Sequence, residues 1–201
     1  MPLDGKFKKD WKVTSPFGWR VHPIEKIKKH HNGVDLWGPK AKIWNESWHD
    51  GTVIAAGTSK LKNADGSLGG VGWYVDVRSK IDGKWYVSRY AHMVENSLTV
   101  VKGQKVKAGH RLGIMGNTGA SAGRHLHFEI CEGRNWRWTT DGSGFVDPLK
   151  FVRNAIEKWE LAQSIPQATP DTGEVAPAPV HEPEPVVKAP KPPKVKLKSA
   201  K

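Results

Sequence analysis

Apolar and polar positions alternate with a period of two along much of this chain, and that pattern predicts β-strands. Trp73 to Arg78 and Trp85 to Ala91 both alternate, and Lys80-Ile81-Asp82-Gly83 lies between them. An Asp-Gly pair between two alternating runs predicts a β-hairpin. Gly51 to Gly57 is a short apolar strand bounded by glycines, and Leu98 to Val101, Val106 to Ala108 and Arg111 to Met115 read as further short strands. Ser15 to Pro23 reads as a compact turn-and-strand segment, Lys26 to His31 as a basic loop, and Lys60 to Gly72 as a loop rich in Gly, Asn, Asp and Ser.

The period changes near Asp147-Pro148, where an N-cap residue precedes proline at the first helical position. A helix over Pro148 to Ala162 is expected, with Leu149, Val152, Ile156 and Trp159 on one stripe. From Gln163 onward aromatic residues vanish and nine of the fourteen prolines occur. Such a segment buries too little apolar surface to fold and is expected to be an extended, disordered tail. The expected fold class is therefore all-β with a C-terminal helix, residues 1–162 forming one domain and 163–201 the tail.

Charge adds a second feature. Six lysines face four carboxylates in residues 162–201, so +10 of the formal +12 lies in residues 1–161. A basic body suits an anionic partner, such as nucleic acid or the anionic polymers of a bacterial wall. The single Cys131 excludes an intramolecular disulfide and a cysteine-built zinc site. No apolar run reaches spanning length, which speaks against a membrane partner, and Met1 to Asp10 lacks the hydrophobic centre of a signal peptide.

The chemistry centres on His125-Leu126-His127-Phe128-Glu129. On a strand, residues i and i+2 share a face, so the two imidazoles lie side by side. Upstream, His31 and Asp35 are spaced His-x3-Asp around Gly33. His31, Asp35 and His127 would supply three ligands and leave one position open, the pattern of a catalytic zinc rather than a structural one. His30 is an alternative to His31, with the tight turn favouring His31. His92 and His125 remain as groups able to deprotonate water or steady an oxyanion. Glu129 shares the parity of His127 and reads as a surface carboxylate, with a fourth ligand or base as the alternative. His22 reads as structural, and His49, His110 and His181 as solvated. The ten tryptophans read mainly as packing, with some available to line a groove.

The ordered set Ser15-x-Phe17-Gly18-x-Arg20-x-His22-Pro23, His31-x-Gly33-x-Asp35, Tyr90-x-His92, Gly116-Asn117-Thr118-Gly119 and His125-x-His127-Phe128-Glu129 resembles the lysostaphin-like zinc endopeptidases of peptidoglycan. The resemblance spans Ser15 to Pro148. It implies a two-sheet antiparallel β core with an open groove and one zinc ion per chain held by His31, Asp35 and His127. It also implies that His92 and His125 are catalytic, that Asn117 contacts substrate, and that peptide bonds of bacterial peptidoglycan are cut. The Lys60 to Gly72 loop is longer than in simple family members, Lys26 to His30 is more basic, and the tail has no family counterpart.

With no signal peptide read at the N-terminus, the expectation is a monomeric phage lysin, delivered to the wall by a holin or as part of a virion. A nucleic-acid-binding domain would account for the charge and the tryptophans but leaves five ordered motifs unexplained. A non-catalytic wall-binding or hydrolase-activating relative would be expected to lack some ligands, and all are present.

Overall fold

A computed structural model of the chain describes residues 11–21 and 26–164. All of them fall in the first of two compact units, Met1–Ile165. The readings of His22, of His181 and of the tail from residue 165 lie outside the described residues. In chain order the strands are β1 (Lys12–Ser15), β2 (Gly18–Val21), β3 (Lys28–His31), β4 (Gly33–Trp37), β5 (Trp44–Glu46) and β6 (Gly51–Thr58). They continue as β7 (Trp73–Ile81), β8 (Lys84–Met93), β9 (Lys105–Val106), β10 (Arg111–Ile114), β11 (Leu126–Glu132) and β12 (Phe145–Val146), followed by helix α1 (Pro148–Ser164).

The antiparallel β core is organised as one eight-stranded sheet and two small ones. The large sheet runs β1-β4-β11-β8-β7-β6-β9, with β12 also on β11, and β10-β5 and β2-β3 form two-stranded sheets. Side-chain alternation gives the central strands two different faces. Val34, Leu36, Leu126, Phe128, Ile130 and Tyr90 are fully buried in the core, where the rings of Tyr90 and Phe128 lie 5.0 Å apart. The alternate residues Asp35, His127 and Glu129 face the other way and build the site described below. A slip of one residue in β11 would carry His127 into the core, so the hydrophobic pattern itself fixes the register.

The β7–β8 hairpin forms around Asp82-Gly83, both at positive φ, which matches the Asp-Gly turn read from sequence. Asp147 caps α1, its Oδ1 accepting from the backbone N–H of Leu149 at 3.0 Å and of Lys150 at 3.3 Å. Val152 is buried, and Leu149, Phe151, Ala155 and Ile156 pack beside it against the core.

Three expectations are corrected. Lys28–His31 is strand β3 rather than loop, because Gly18–Val21 supplies a pairing partner that local charge does not reveal. Leu98 to Val101 forms no strand. Val100 is still buried and Leu98 half-buried while Val101 is exposed, and Thr99 is tied by its N–H to the Leu112 carbonyl at 3.0 Å and by its hydroxyl to that of Arg111 at 2.6 Å. Trp159 stands off the apolar stripe of α1 and is 64% exposed. No described helix is long and apolar enough to cross a membrane.

Candidate metal centre and active site

Strand pairing assembles the site. β11 lies between β4 and β8, and in the β4 pairing His127 stands opposite Asp35. Their Nδ1 and Oδ1 atoms are 2.8 Å apart. His31 ends β3 and brings its Nε2 to 3.3 Å from Asp35 Oδ1 and 3.1 Å from His127 Nδ1. Among the described residues, these three form the group of donors close enough together to share a metal ion. His30 points elsewhere: its ring lies edge-on to Phe17 and Trp19, and its Nδ1 bonds Asn32 Oδ1 at 2.8 Å.

The hydrogen bonds behind the two imidazoles decide what they present. His31 Nδ1 lies 2.8 Å from the Pro16 carbonyl, which only accepts, so Nδ1 carries the proton and Nε2 a lone pair. His127 Nε2 lies 3.0 Å from Glu129 Oε1, so Nε2 donates and Nδ1 presents its lone pair. Two imidazole lone pairs and a carboxylate oxygen then face one another within 3.3 Å. Such an arrangement is repulsive unless a proton or a metal cation sits among them, and two imidazole nitrogens with a carboxylate oxygen are a donor set that fits zinc. Without a metal ion a proton takes that place on Nδ1: burial works against a charge on His127, but the bonds to Asp35 and Glu129 outweigh it and lift its pKa to about 10. Burial likewise opposes the charge on Asp35, yet the imidazoles of His125, His127 and His31 gathered around it hold its pKa well below the usual carboxylate range.

His125 and His92 flank this centre. His125 donates from Nδ1 to the Gly123 carbonyl at 2.7 Å and turns Nε2 towards Asp35 Oδ1 at 3.5 Å. His92 donates from Nδ1 to the Thr118 carbonyl at 2.7 Å, which leaves its Nε2 as an acceptor. The two rings are 4.8 Å apart. Burial, then the charges of His127 and His125, push the His92 pKa down to about 3, so its ring is neutral at pH 7. His92 also holds a left-handed backbone, φ 59°, at the end of β8. That conformation is uncommon outside glycine and persists where surrounding bonds over-determine it. Here its N–H donates to the Val71 carbonyl at 3.0 Å while the ring is fixed at Thr118.

The five residues open into a groove of about 870 Å³, whose walls include Arg20, Lys29, Leu61, Tyr74, Trp136 and Trp138. Leu61, Gly70 and Val71 show that the Lys60 to Gly72 loop forms part of the wall. Asn117 is not among the lining residues. It is exposed, and its Oδ1 accepts from the hydroxyl of Ser121, which does line the groove. His49 and His110 are half-buried rather than solvated and take no part in the cluster.

Glu129 corrects the expectation of a surface carboxylate, being only 3% exposed. Besides His127 it accepts from Trp136 Nε1 at 2.7 Å. Its strand parity with His127 was the one signal of this in the sequence. The part played by Trp136, seven residues further on, had none.

A β-sheet scaffold with a three-donor metal site, two further histidines and an open groove defines a metallopeptidase. The chain belongs to peptidase family M23, whose model matches residues 29–138. It is 35% identical over 169 residues to the peptidoglycan DD-endopeptidase ShyA of Vibrio cholerae, covering 82% of this chain and 33% of that protein. It is 31% identical over 118 residues to the DD-carboxypeptidase/endopeptidase Mpg of Neisseria meningitidis, covering 59% of this chain and 24% of that protein. The chain thus spans a third or less of the length of these curated relatives. The fold matches the catalytic domain of lysostaphin from Staphylococcus simulans with a TM-score of 0.56 and 25% identity, covering 71% of this chain and 92% of that one.

Proposed function

We propose that this chain is a zinc-dependent endopeptidase that hydrolyses peptide bonds in bacterial peptidoglycan, with one zinc ion per chain. The observation that carries the reading is the convergence of His31 Nε2, Asp35 Oδ1 and His127 Nδ1 beside two further histidines in an open groove. Three protein donors of this type suit catalytic zinc. When bound, zinc supplies a Lewis acid that acidifies water and polarises a carbonyl.

The remaining chemistry belongs to the chain. The carbonyl bonded at Nδ1 of His125 turns its Nε2 towards the centre beside Asp35, and the carbonyl bonded at Nδ1 of His92 leaves His92 Nε2 as an acceptor for a proton from attacking water. Once protonated, the same nitrogen donates to the oxyanion or to the leaving amine. The groove accommodates an extended peptide, and Arg20, Lys29 and Arg124 give its walls a positive character suited to a substrate bearing carboxylates. ShyA and Mpg are named for cleavage of peptidoglycan, which supports that substrate class here.

A phage lytic role is a narrower form of the same proposal. The catalytic domain of the prophage-encoded M23 protein EnpA from Enterococcus faecalis, crystallised as a mutant, shares the fold with a TM-score of 0.51 and 25% identity, which supports it. Delivery to the wall by a holin or a virion belongs to that narrower form.

The test is to incubate zinc-loaded protein with purified peptidoglycans of differing cross-bridge chemistry and identify the released fragments by mass spectrometry. New amine and carboxyl ends at a stem or cross-bridge peptide bond are expected. Release of no fragment from any wall type would overturn the proposal.

A further inference from the structure

A chain of polar groups runs away from His127 along the wall of the groove. His127 Nε2 donates to Glu129 Oε1 at 3.0 Å, and Trp136 Nε1 donates to the second oxygen, Oε2, at 2.7 Å. The Trp136 ring in turn carries the Arg89 guanidinium 3.5 Å from its centroid, with Tyr74 at 4.7 Å. Arg89 is held in a two-pronged pair with Asp76, Nε to Oδ1 and Nη2 to Oδ2, both at 2.8 Å. Asp76, Arg89 and Glu129 are each at most 5% exposed. Gly33, opposite Glu129 across the β4–β11 pair, makes room for it: a Cβ there would lie 2.9 Å from Glu129 Cγ.

We propose that Glu129 and Trp136 are positioning residues for the metal centre, fixing the tautomer and ring angle of His127 so that Nδ1 meets the metal. The inference rests on the zinc reading above. With both oxygens engaged, Glu129 can take only one orientation, and as a carboxylate it can only accept. His127 must therefore keep its proton on Nε2. A bond of this kind behind a ligating histidine typically changes metal affinity 10- to 100-fold. Trp136 has a second duty, since it also lines the groove. Arg89 holds the indole from behind and places a positive charge near the buried carboxylate.

Two substitutions separate this role from packing. Trp136→Phe retains an aromatic ring for Arg89 and removes the N–H. Glu129→Gln retains shape, but its amide must turn –NH₂ towards either His127 Nε2 or Trp136 Nε1, and neither choice preserves both bonds. Zinc affinity is measured on the metal-free full chain by competition with a chromophoric chelator. Thermal unfolding of the metal-free forms is followed in parallel, and ¹⁵N NMR of the zinc-loaded forms reports whether His127 keeps its proton on Nε2. Trp138→Phe, altering a groove neighbour whose ring is 6.2 Å from that of Trp136, is the control.

The expected result is zinc binding weakened about 10-fold or more in Trp136→Phe and Glu129→Gln. Trp138→Phe should match the parent in zinc affinity, and metal-free Trp136→Phe should stay folded at the assay temperature, its unfolding midpoint lowered only modestly by the lost hydrogen bond. Both variants binding zinc as tightly as the parent would overturn the inference while leaving the zinc centre standing. So would an affinity loss shared equally by Trp138→Phe. A parent chain that binds no zinc would overturn the metal reading and this inference together.

Discussion

His127 and Asp35 stand directly opposite each other across two antiparallel strands, with Nδ1 and Oδ1 2.8 Å apart. The metal centre is therefore a property of strand register as much as of residue type. Two residues along the same pair, Gly33 faces Glu129, and a Cβ at Gly33 would meet the Phe128 carbonyl oxygen at 2.5 Å. Gly33→Ala must push β4 from β11 or displace Glu129. It should destabilise the domain by about 1–3 kcal/mol, the usual scale of overpacking, and weaken zinc binding as well. Urea unfolding and metal titration check both; an alanine variant matching the parent in both would show that the pair yields without cost.

The two kinds of histidine should separate on substitution. His31→Ala and Asp35→Ala each remove a donor, so both should lose zinc and peptidase activity while the sheet remains folded. His125→Ala and His92→Ala should keep zinc and lower hydrolysis about 10²-fold or more, the scale of a positioned acid or base. Metal content by elemental analysis, set beside fragment release, makes the comparison. Retention of zinc by His127→Ala with its loss in His125→Ala would reverse the roles within the strand. Chelation of the parent should abolish activity, and added zinc should restore it.

Much of this arrangement was legible in the sequence because it depends on periodicity. The parity of His125, His127 and Glu129 follows from strand alternation, the hairpin from Asp82-Gly83, and the helix start from Asp147-Pro148. What was not legible depends on groups without a side-chain signature. Pro16, Thr118 and Gly123 set the histidine tautomers through backbone carbonyls, and any residue carries one. The burial of Glu129 arises from Trp136 and Arg89, which come from a later loop and a neighbouring strand. Strand β3 was hidden because its partner, not its own lysine-rich sequence, makes it a strand.

His92 should show a trade between stability and activity. Its φ of 59° is costly for any residue with a Cβ and nearly free for glycine. His92→Gly and His92→Ala both lose the ring and its bond to Thr118, so their difference isolates the backbone. The glycine variant should be the more stable by about 1 kcal/mol, the cost of a left-handed non-glycine residue. Both should be poor peptidases. Equal stability by denaturant unfolding would mean that the end of β8 relaxes to another conformation once the ring is gone.

The buried pair between Arg89 and Asp76 sets the last expectation. Burial raises the Asp76 pKa, and the Arg89 bonds and charge oppose that rise. Arg89→Met removes the opposing partner and leaves a buried carboxylate alone, which should cost about 3–5 kcal/mol at pH 7. Asp76 titrates near 3.9 in the unfolded chain, and its folded pKa should climb further in the variant. A raised folded pKa gives stability that is fully present below the unfolded value and lost as pH rises through the folded one. The deficit of Arg89→Met relative to the parent should therefore be smaller near pH 4 than at pH 7, measured by urea unfolding with chelator present in both. Changing both partners, Asp76→Leu with Arg89→Met, should recover part of the loss because no charge is left buried. A deficit that is independent of pH and unrelieved in the double variant would mean that Arg89 contributes through its stacking on Trp136 and Tyr74 instead.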